Sequence, residues 1–170
     1  MYGDFRASLP EASQSRIYAA SKWCVFRPPT EPITFDYVLA AVKERCRRLR
    51  GTVQLLQFHW SDYSNEDYLE ILLHLVNIAS SHPELVAAIG LCNFDSDHTI
   101  KVCEYLIEKT GKAGVVSNQV QFSLLDSRPL KRMLQTCEKY DLKLLTYGSY
   151  VSDQVVSITR YLANFPRLVA

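Results

Sequence analysis

This sequence predicts an α/β fold of parallel strands joined by crossover helices, and three observations carry that prediction. Five short apolar runs recur along 170 residues: "RIYAASKW" (16–23), "VQLLQFHW" (53–60), "LVAAIGLCNF" (85–94), "AGVVSNQVQF" (113–122) and "LKLLTYGSY" (142–150). Each is mostly apolar rather than strictly alternating, which suits strands buried on both faces of a parallel sheet. Successive runs start roughly 30 residues apart, the size of a βαβ unit, with helical patterns between them. Five strands and four right-handed crossovers leave two architectures open: a doubly wound sheet, or part of a (β/α)8 barrel. No GxGxxG follows any run, which weakens the dinucleotide-binding form of the first.

Taken in order, each run and spacer has a physical reason. After the first run, "RPPTEP" (27–32) is a stiff loop, because proline fixes φ and disfavours helix before it. Phe35, Val38, Leu39, Val42, Cys46 and Leu49 then fall at helical spacing, with Gly51 as a stop. The second run leads to a stripe of Leu69, Leu72, Leu73, Val76 and Ala79, for which Ser64 is the candidate N-cap. Ile100, Cys103, Leu106 and Ile107 follow the third run and end at Gly111. Leu130, Met133, Leu134 and Cys137 follow the fourth, with Pro129 placed in the first turn.

Composition narrows the function classes. Hydrophobic residues make up 48% and charged residues 22%, as in an ordinary globular domain. The net charge of +1 gives no global field for nucleic acid or an anionic membrane. Arg45, Arg47, Arg48 and Arg50 form a local cluster near a helix end, where cations suit the dipole. No stretch reaches the roughly 18 apolar residues of a membrane span, and "MYGDFRASLP" lacks a signal-peptide layout. Cys24, Cys46, Cys92, Cys103 and Cys137 are odd in number and form no CxxC pair. Reduced thiols in the cytoplasm are expected, with no disulfide framework and no metal site.

In a parallel α/β fold, chemistry gathers at the carboxyl ends of the strands. Those ends carry Lys22, His59, Asn93, Gln119 and Tyr147. A lysine, a histidine, two amides and a tyrosine on one face form a polar constellation on an apolar scaffold.

The ordered motifs "SKW", "LLQFHW", "IGLCNF", "SNQVQFSLLD" and "LLTYGSY" resemble the successive barrel strands of the aldo/keto reductase family, over roughly residues 1–150. The resemblance implies an α/β fold that is a partial (β/α)8 TIM barrel, covering strands three to seven. It implies reduction of an aldehyde or ketone by NADP(H), of the kind that serves as a tailoring step in a biosynthetic pathway. By the same resemblance, Lys22 matches the catalytic lysine, His59 the histidine that orients the carbonyl, and Tyr2 the proton-donating tyrosine. Asn93 and Gln119 match the amides that hold the nicotinamide carboxamide, and Tyr147 the aromatic that stacks on its ring. Cys92 stands where the family usually has serine, and a thiol is the weaker hydrogen-bond partner. Such a set is chemically coherent. An imidazole donor stabilises the developing alkoxide, and an ammonium beside a tyrosine eases release of its proton.

The likeness stops at both ends. The family's aspartate, five residues before the tyrosine, has no position in a sequence that begins one residue before Tyr2. Residues 151–170 form a tail matching neither the family's cofactor loop nor its 2′-phosphate segment. Its Val155, Ile158, Tyr161, Leu162 and Phe165 are spaced for one amphipathic helix. A chain truncated in this way is expected to bind NADPH weakly and to be catalytically impaired. It is also expected to self-associate through open sheet edges. The alternative is a catalytically inactive aldo/keto reductase-like protein.

Overall fold

The structure is a computed structural model and describes residues 2–14, 16–123 and 125–149. The five runs form strands β1 (Ala20–Val25), β2 (Leu55–Trp60), β3 (Ile89–Cys92), β4 (Val115–Gln121) and β5 (Lys143–Tyr147). All neighbouring pairs are parallel. They lie in one sheet in strict sequential order, β1-β2-β3-β4-β5.

That order separates the two architectures. A doubly wound sheet reverses direction at a switch point, whereas every crossover here steps the same way. Curvature completes the case. The Lys22 Nζ on β1 lies 6.0 Å from the ring centroid of Tyr147 on β5. In a flat sheet, strands at about 4.8 Å spacing would hold β1 and β5 about 19 Å apart. The sheet is therefore an arc of barrel wall, with these two side chains across its inner surface.

The outer surface carries the core. Trp23 and Val25, Leu56, Phe58 and Trp60, and Ile89 and Leu91 pack in one cluster with residues from the helices that cover them. Those helices are α3 (Phe35–Leu49), α4 (Asp67–Ser81), α5 (Ser96–Thr110) and α6 (Met133–Lys139), the last preceded by a 3-10 turn at Arg128–Leu130. Burial along β1 alternates: Trp23 and Val25 are buried while Lys22 and Cys24 are exposed. The expectation of strands buried on both faces thus fails for β1, because the inner side of this edge strand is open. It holds for β3, whose four residues are all buried.

The helix ends show what local signals can specify. Thr34 caps α3 by accepting from the Tyr37 N–H at 3.2 Å. Its left-handed terminal residue is Arg50 (φ 52°), one position before the expected stop, and the Gly51 N–H reaches back to the Cys46 carbonyl. Gly111, at φ 79°, ends α5 as expected. Ser64 does not cap α4. Its hydroxyl donates to Asp62 Oδ1, while Asn65 Oδ1 accepts from the Asp67 N–H at 2.7 Å. Ile107, Leu130 and Leu134 of the predicted stripes are exposed, and Thr99 and Thr136 take buried positions instead.

Two short helices, α1 (Tyr2–Ala7) and α2 (Glu11–Gln14), precede the sheet. Gly3 lies so close to α3 that a Cβ there would overlap the Arg48 carbonyl oxygen. Asp4 pairs with Arg50 at 2.5 Å, and Arg6 reaches the Thr52 carbonyl. At β1, the outermost described strand, Arg45 donates to the Lys22 carbonyl and lies 4.8 Å from the Trp23 ring centroid, which partly masks that edge. The expected tail domain, 151–170, and its helix lie outside the described residues.

Candidate active site

Strand register determines which side chains share the inner face. Lys22 is level with Gln57, and Cys24 with His59. Gln57 is level with Gly90, Cys92 with Gln119, and Gln121 with Tyr147. Since side chains alternate along each strand, the outer positions of β1–β3 go to the apolar core. The inner positions bring together Lys22, His59, Cys92, Gln119 and Tyr147.

Not all of these lie at strand ends. Lys22 is third of six residues in β1 and Gln119 fifth of seven in β4. His59 is the penultimate residue of β2, Tyr147 the last of β5, and Asn93 directly follows β3. The lysine still reaches the others because its long side chain crosses the arc to Tyr147.

The half-buried His59 has its pKa lowered, first by partial burial and then by the Lys22 ammonium. Both effects oppose charging the ring, so its neutral form is favoured. Phe26, in the loop after β1, packs on it with centroids 5.8 Å apart and planes at 50°. A neutral imidazole has one N–H to donate and one nitrogen to accept.

Asn93 sits in the left-handed region at φ 61°, which asparagine tolerates better than most residues. Its backbone N–H donates to the Gln119 carbonyl at 2.8 Å, extending the ladder past β3. With Gln121, Tyr147 and Arg128 it lines a cleft of about 410 Å³. The buried Cys92 has its Sγ 4.0 Å from Gln119 Oε1, a long contact in keeping with a thiol donor.

Several contributors were invisible in the sequence. Asn118 is fully buried beside Gln119 and donates to the Phe94 carbonyl at 2.8 Å and to Thr99 Oγ1 at 3.1 Å. It pins β4 to the turn that carries Asn93. Asp95 caps α5 by accepting from the His98 N–H, and its carboxylate holds His98 Nδ1 at 2.8 Å. Asp126, whose side chain is 4% exposed, holds Arg128 at the lip of the cleft through two contacts of 2.7 Å. An Asn–Gln pair inside an apolar run was the one available sign of Asn118. The Asp126–Arg128 clamp had no sign in sequence beyond two opposite charges.

Tyr2 is the residue set apart. It begins α1, is 41% exposed, and belongs to the helical layer beside the last turn of α3. Lys22 and Tyr147 meet on the inner face of the sheet.

The inner-face amides and aromatic suit the nicotinamide end of a dinucleotide. Carboxamides both donate and accept, and the partly exposed Tyr147 offers a ring face next to Asn93. Among the described residues no helix is long and apolar enough to cross a membrane.

Comparison with known proteins agrees with this fold. The pyridoxal reductase of Arabidopsis thaliana chloroplasts is 25% identical over 139 residues, which is 81% of this chain and 37% of that protein. The solved glycerol dehydrogenase of Gluconobacter oxydans superposes with a TM-score of 0.64 at 20% identity, over 86% of this chain and 43% of its own. The apo form of Gox0644 superposes with a TM-score of 0.61 at 24% identity, over 80% and 45%. The chain thus spans less than half the length of each of these relatives. The family model for aldo/keto reductases matches residues 1–152. The chain belongs to the aldo/keto reductase family.

Proposed function

We propose that this chain carries the carbonyl-reducing site of an NADP(H)-dependent aldo/keto reductase, acting on a small aldehyde or ketone in the cytoplasm as a tailoring step of a biosynthetic pathway. The observation that supports it most is the meeting of Lys22, His59 and Tyr147 on one face, beside the cleft that Asn93 lines. When bound, NADPH supplies the hydride. Asn93 and Gln119 would hold its carboxamide, with Cys92 beside Gln119, and Tyr147 would offer its ring face to the nicotinamide. His59 donates one N–H to the substrate oxygen, where negative charge grows. The proton for that oxygen is assigned to the Tyr2 hydroxyl with help from Lys22, a role that requires α1 to leave its place beside α3. Residues 1–150 make up this reductase domain and 151–170 a separate tail, and the chain associates with other copies through the edges of β1 and β5, which pair with no further strand among the described residues.

A second reading has its own observation. Tyr2 lies on the helical layer rather than with Lys22, which favours a member of the family that holds ligands without turnover. One experiment weighs both. NADPH is titrated into the purified chain, and its consumption is followed over a panel of aldehydes and ketones. Binding with turnover supports the first reading and binding without turnover the second. Neither binding nor turnover removes both.

A further inference from the structure

Among the described residues, five buried side-chain polar atoms have no hydrogen-bond partner: Gln57 Nε2, His59 Nδ1, Tyr63 Oη, Ser117 Oγ and Asn118 Oδ1. Three of them share the inner face. Gln57 and His59 are two residues apart on β2, so they project to the same side, about 6.6 Å apart along the strand. Gln57 is level with Gly90 on β3, and the Ser117 hydroxyl occupies the space that a side chain on Gly90 would fill. Gln57 is 5% exposed and Ser117 2%. Buried amides and hydroxyls in native proteins are almost always satisfied by protein or by ordered water. Three such groups on one face call for ordered water as their partner.

We propose that Gln57 is a positioning residue for His59: its carboxamide N–H donates, through one water shared with the Ser117 hydroxyl, to His59 Nδ1. The imidazole proton is then held on Nε2. A neutral imidazole must accept on one nitrogen if it donates on the other. Nδ1 is the buried nitrogen, so Nε2 is the one left to meet a ligand. Burial and the Lys22 ammonium keep the ring neutral and leave the choice of tautomer to its neighbours. The competing influence is the residue's own backbone carbonyl, which favours a proton on the ring. Cys24 across β1 and Phe26 above the ring complete the surroundings. The catalytic meaning of this device rests on the proposed role of His59, but the tautomer does not.

The test is proton–nitrogen correlation spectroscopy of the isotope-labelled chain, read at the histidine rings. His74, His82 and His98 belong to the helical layer and serve as internal controls for folding. The wild-type chain should show His59 as the Nε2–H tautomer above its pKa. Gln57→Leu should give a tautomer mixture. Gln57→Glu should draw the proton to Nδ1 and raise the His59 pKa by about one pH unit or more, since a carboxylate favours the charged ring. These opposite responses are not what a merely space-filling glutamine gives. An Nδ1–H tautomer in the wild-type chain overturns the proposal, and that measurement needs no variant. So does an unchanged His59 signal in both variants while the control histidines keep theirs. If His59 proves dispensable for turnover but responds as stated, the reductase reading fails and the positioning role stands.

Discussion

The two faces of the same sheet differ more than any two elements of the molecule. On the outer face of β2, Leu56 and Phe58 are fully buried and Trp60 nearly so. On its inner face Gln57 and His59 hold polar atoms with no partner among the described residues. The outer face has surrendered its chemistry to packing. The inner face keeps groups whose hydrogen bonds remain available. Stability and the proposed function therefore reside in alternate residues of the same strands, and substitutions one position apart should have different consequences.

The largest contrast lies between Phe58 and its neighbours. Phe58→Ala removes a ring packed against Trp23, Trp60 and Phe94, with centroids at 5.8, 6.1 and 6.4 Å. About 3–5 kcal/mol of stability should go, as for other buried aromatics. Urea denaturation measures it. Gln119→Ala, on the inner face, should change the midpoint by much less. Equal losses would break the division of labour between the faces.

His59→Ala should show the inverse pattern. Losing one donor aimed at a developing oxyanion costs about 2.7–4 kcal/mol of transition-state stabilisation, while the fold keeps its outer core. Turnover of the most reactive aldehyde, beside the urea midpoint, separates the two effects. A variant that unfolds as readily as Phe58→Ala would make His59 a structural residue.

Acid adds a smaller and more specific test. The His59 pKa is lower in the folded chain than its ordinary value near 6.5. The unfolded chain therefore binds a proton there first as pH falls. Stability from this residue is fully present above about pH 6.5 and declines as pH drops from there through the folded pKa. In His59→Gln that part of the acid sensitivity should disappear. An identical stability profile in the variant would mean the ring is not held neutral by its surroundings.

Much of the fold was legible because its signals are local. The five runs, the helical stripes and Gly111 report periodicity and caps, which need no knowledge of neighbours. Barrel against open sheet was not legible from residue spacing, since strand order belongs to the third dimension and the decision came from the motif resemblance. The inner-face residues were partly legible for the same reason: Lys22 and Tyr147 stand on strands at opposite ends of the sheet, and only its curvature unites them. Ser64 misled because its hydroxyl is taken by Asp62, while α4 begins after Glu66 without a side-chain cap and Asn65 Oδ1 accepts from the Asp67 N–H in the turn before it. Gln57 and Ser117 were missed because a buried amide inside an apolar run looks like an interruption of packing, not a donor. Tyr2 shows the opposite limit. A two-residue motif marks a lineage, but the contacts of Gly3, Asp4 and Arg6 determine where that tyrosine lies.

The smallest expected effect tests the curvature itself. Lys22 and Tyr147 come within 6.0 Å only because the arc curves, since in a flat sheet their strands would lie about 19 Å apart. An exposed ammonium over an aromatic ring is worth about 0.5–1 kcal/mol. Single substitutions confuse that figure with other losses, because Lys22→Met also removes the charge that bears on His59, and Tyr147→Leu changes the wall of the cleft. A double-mutant cycle cancels those terms and leaves the coupling between the two residues. The coupling should be of this size and favourable. If β1 and β5 were splayed apart in solution, the coupling would vanish while each single variant kept its own cost. A zero coupling energy would thus report an open sheet even where the outer core, and with it the urea midpoint, is unchanged.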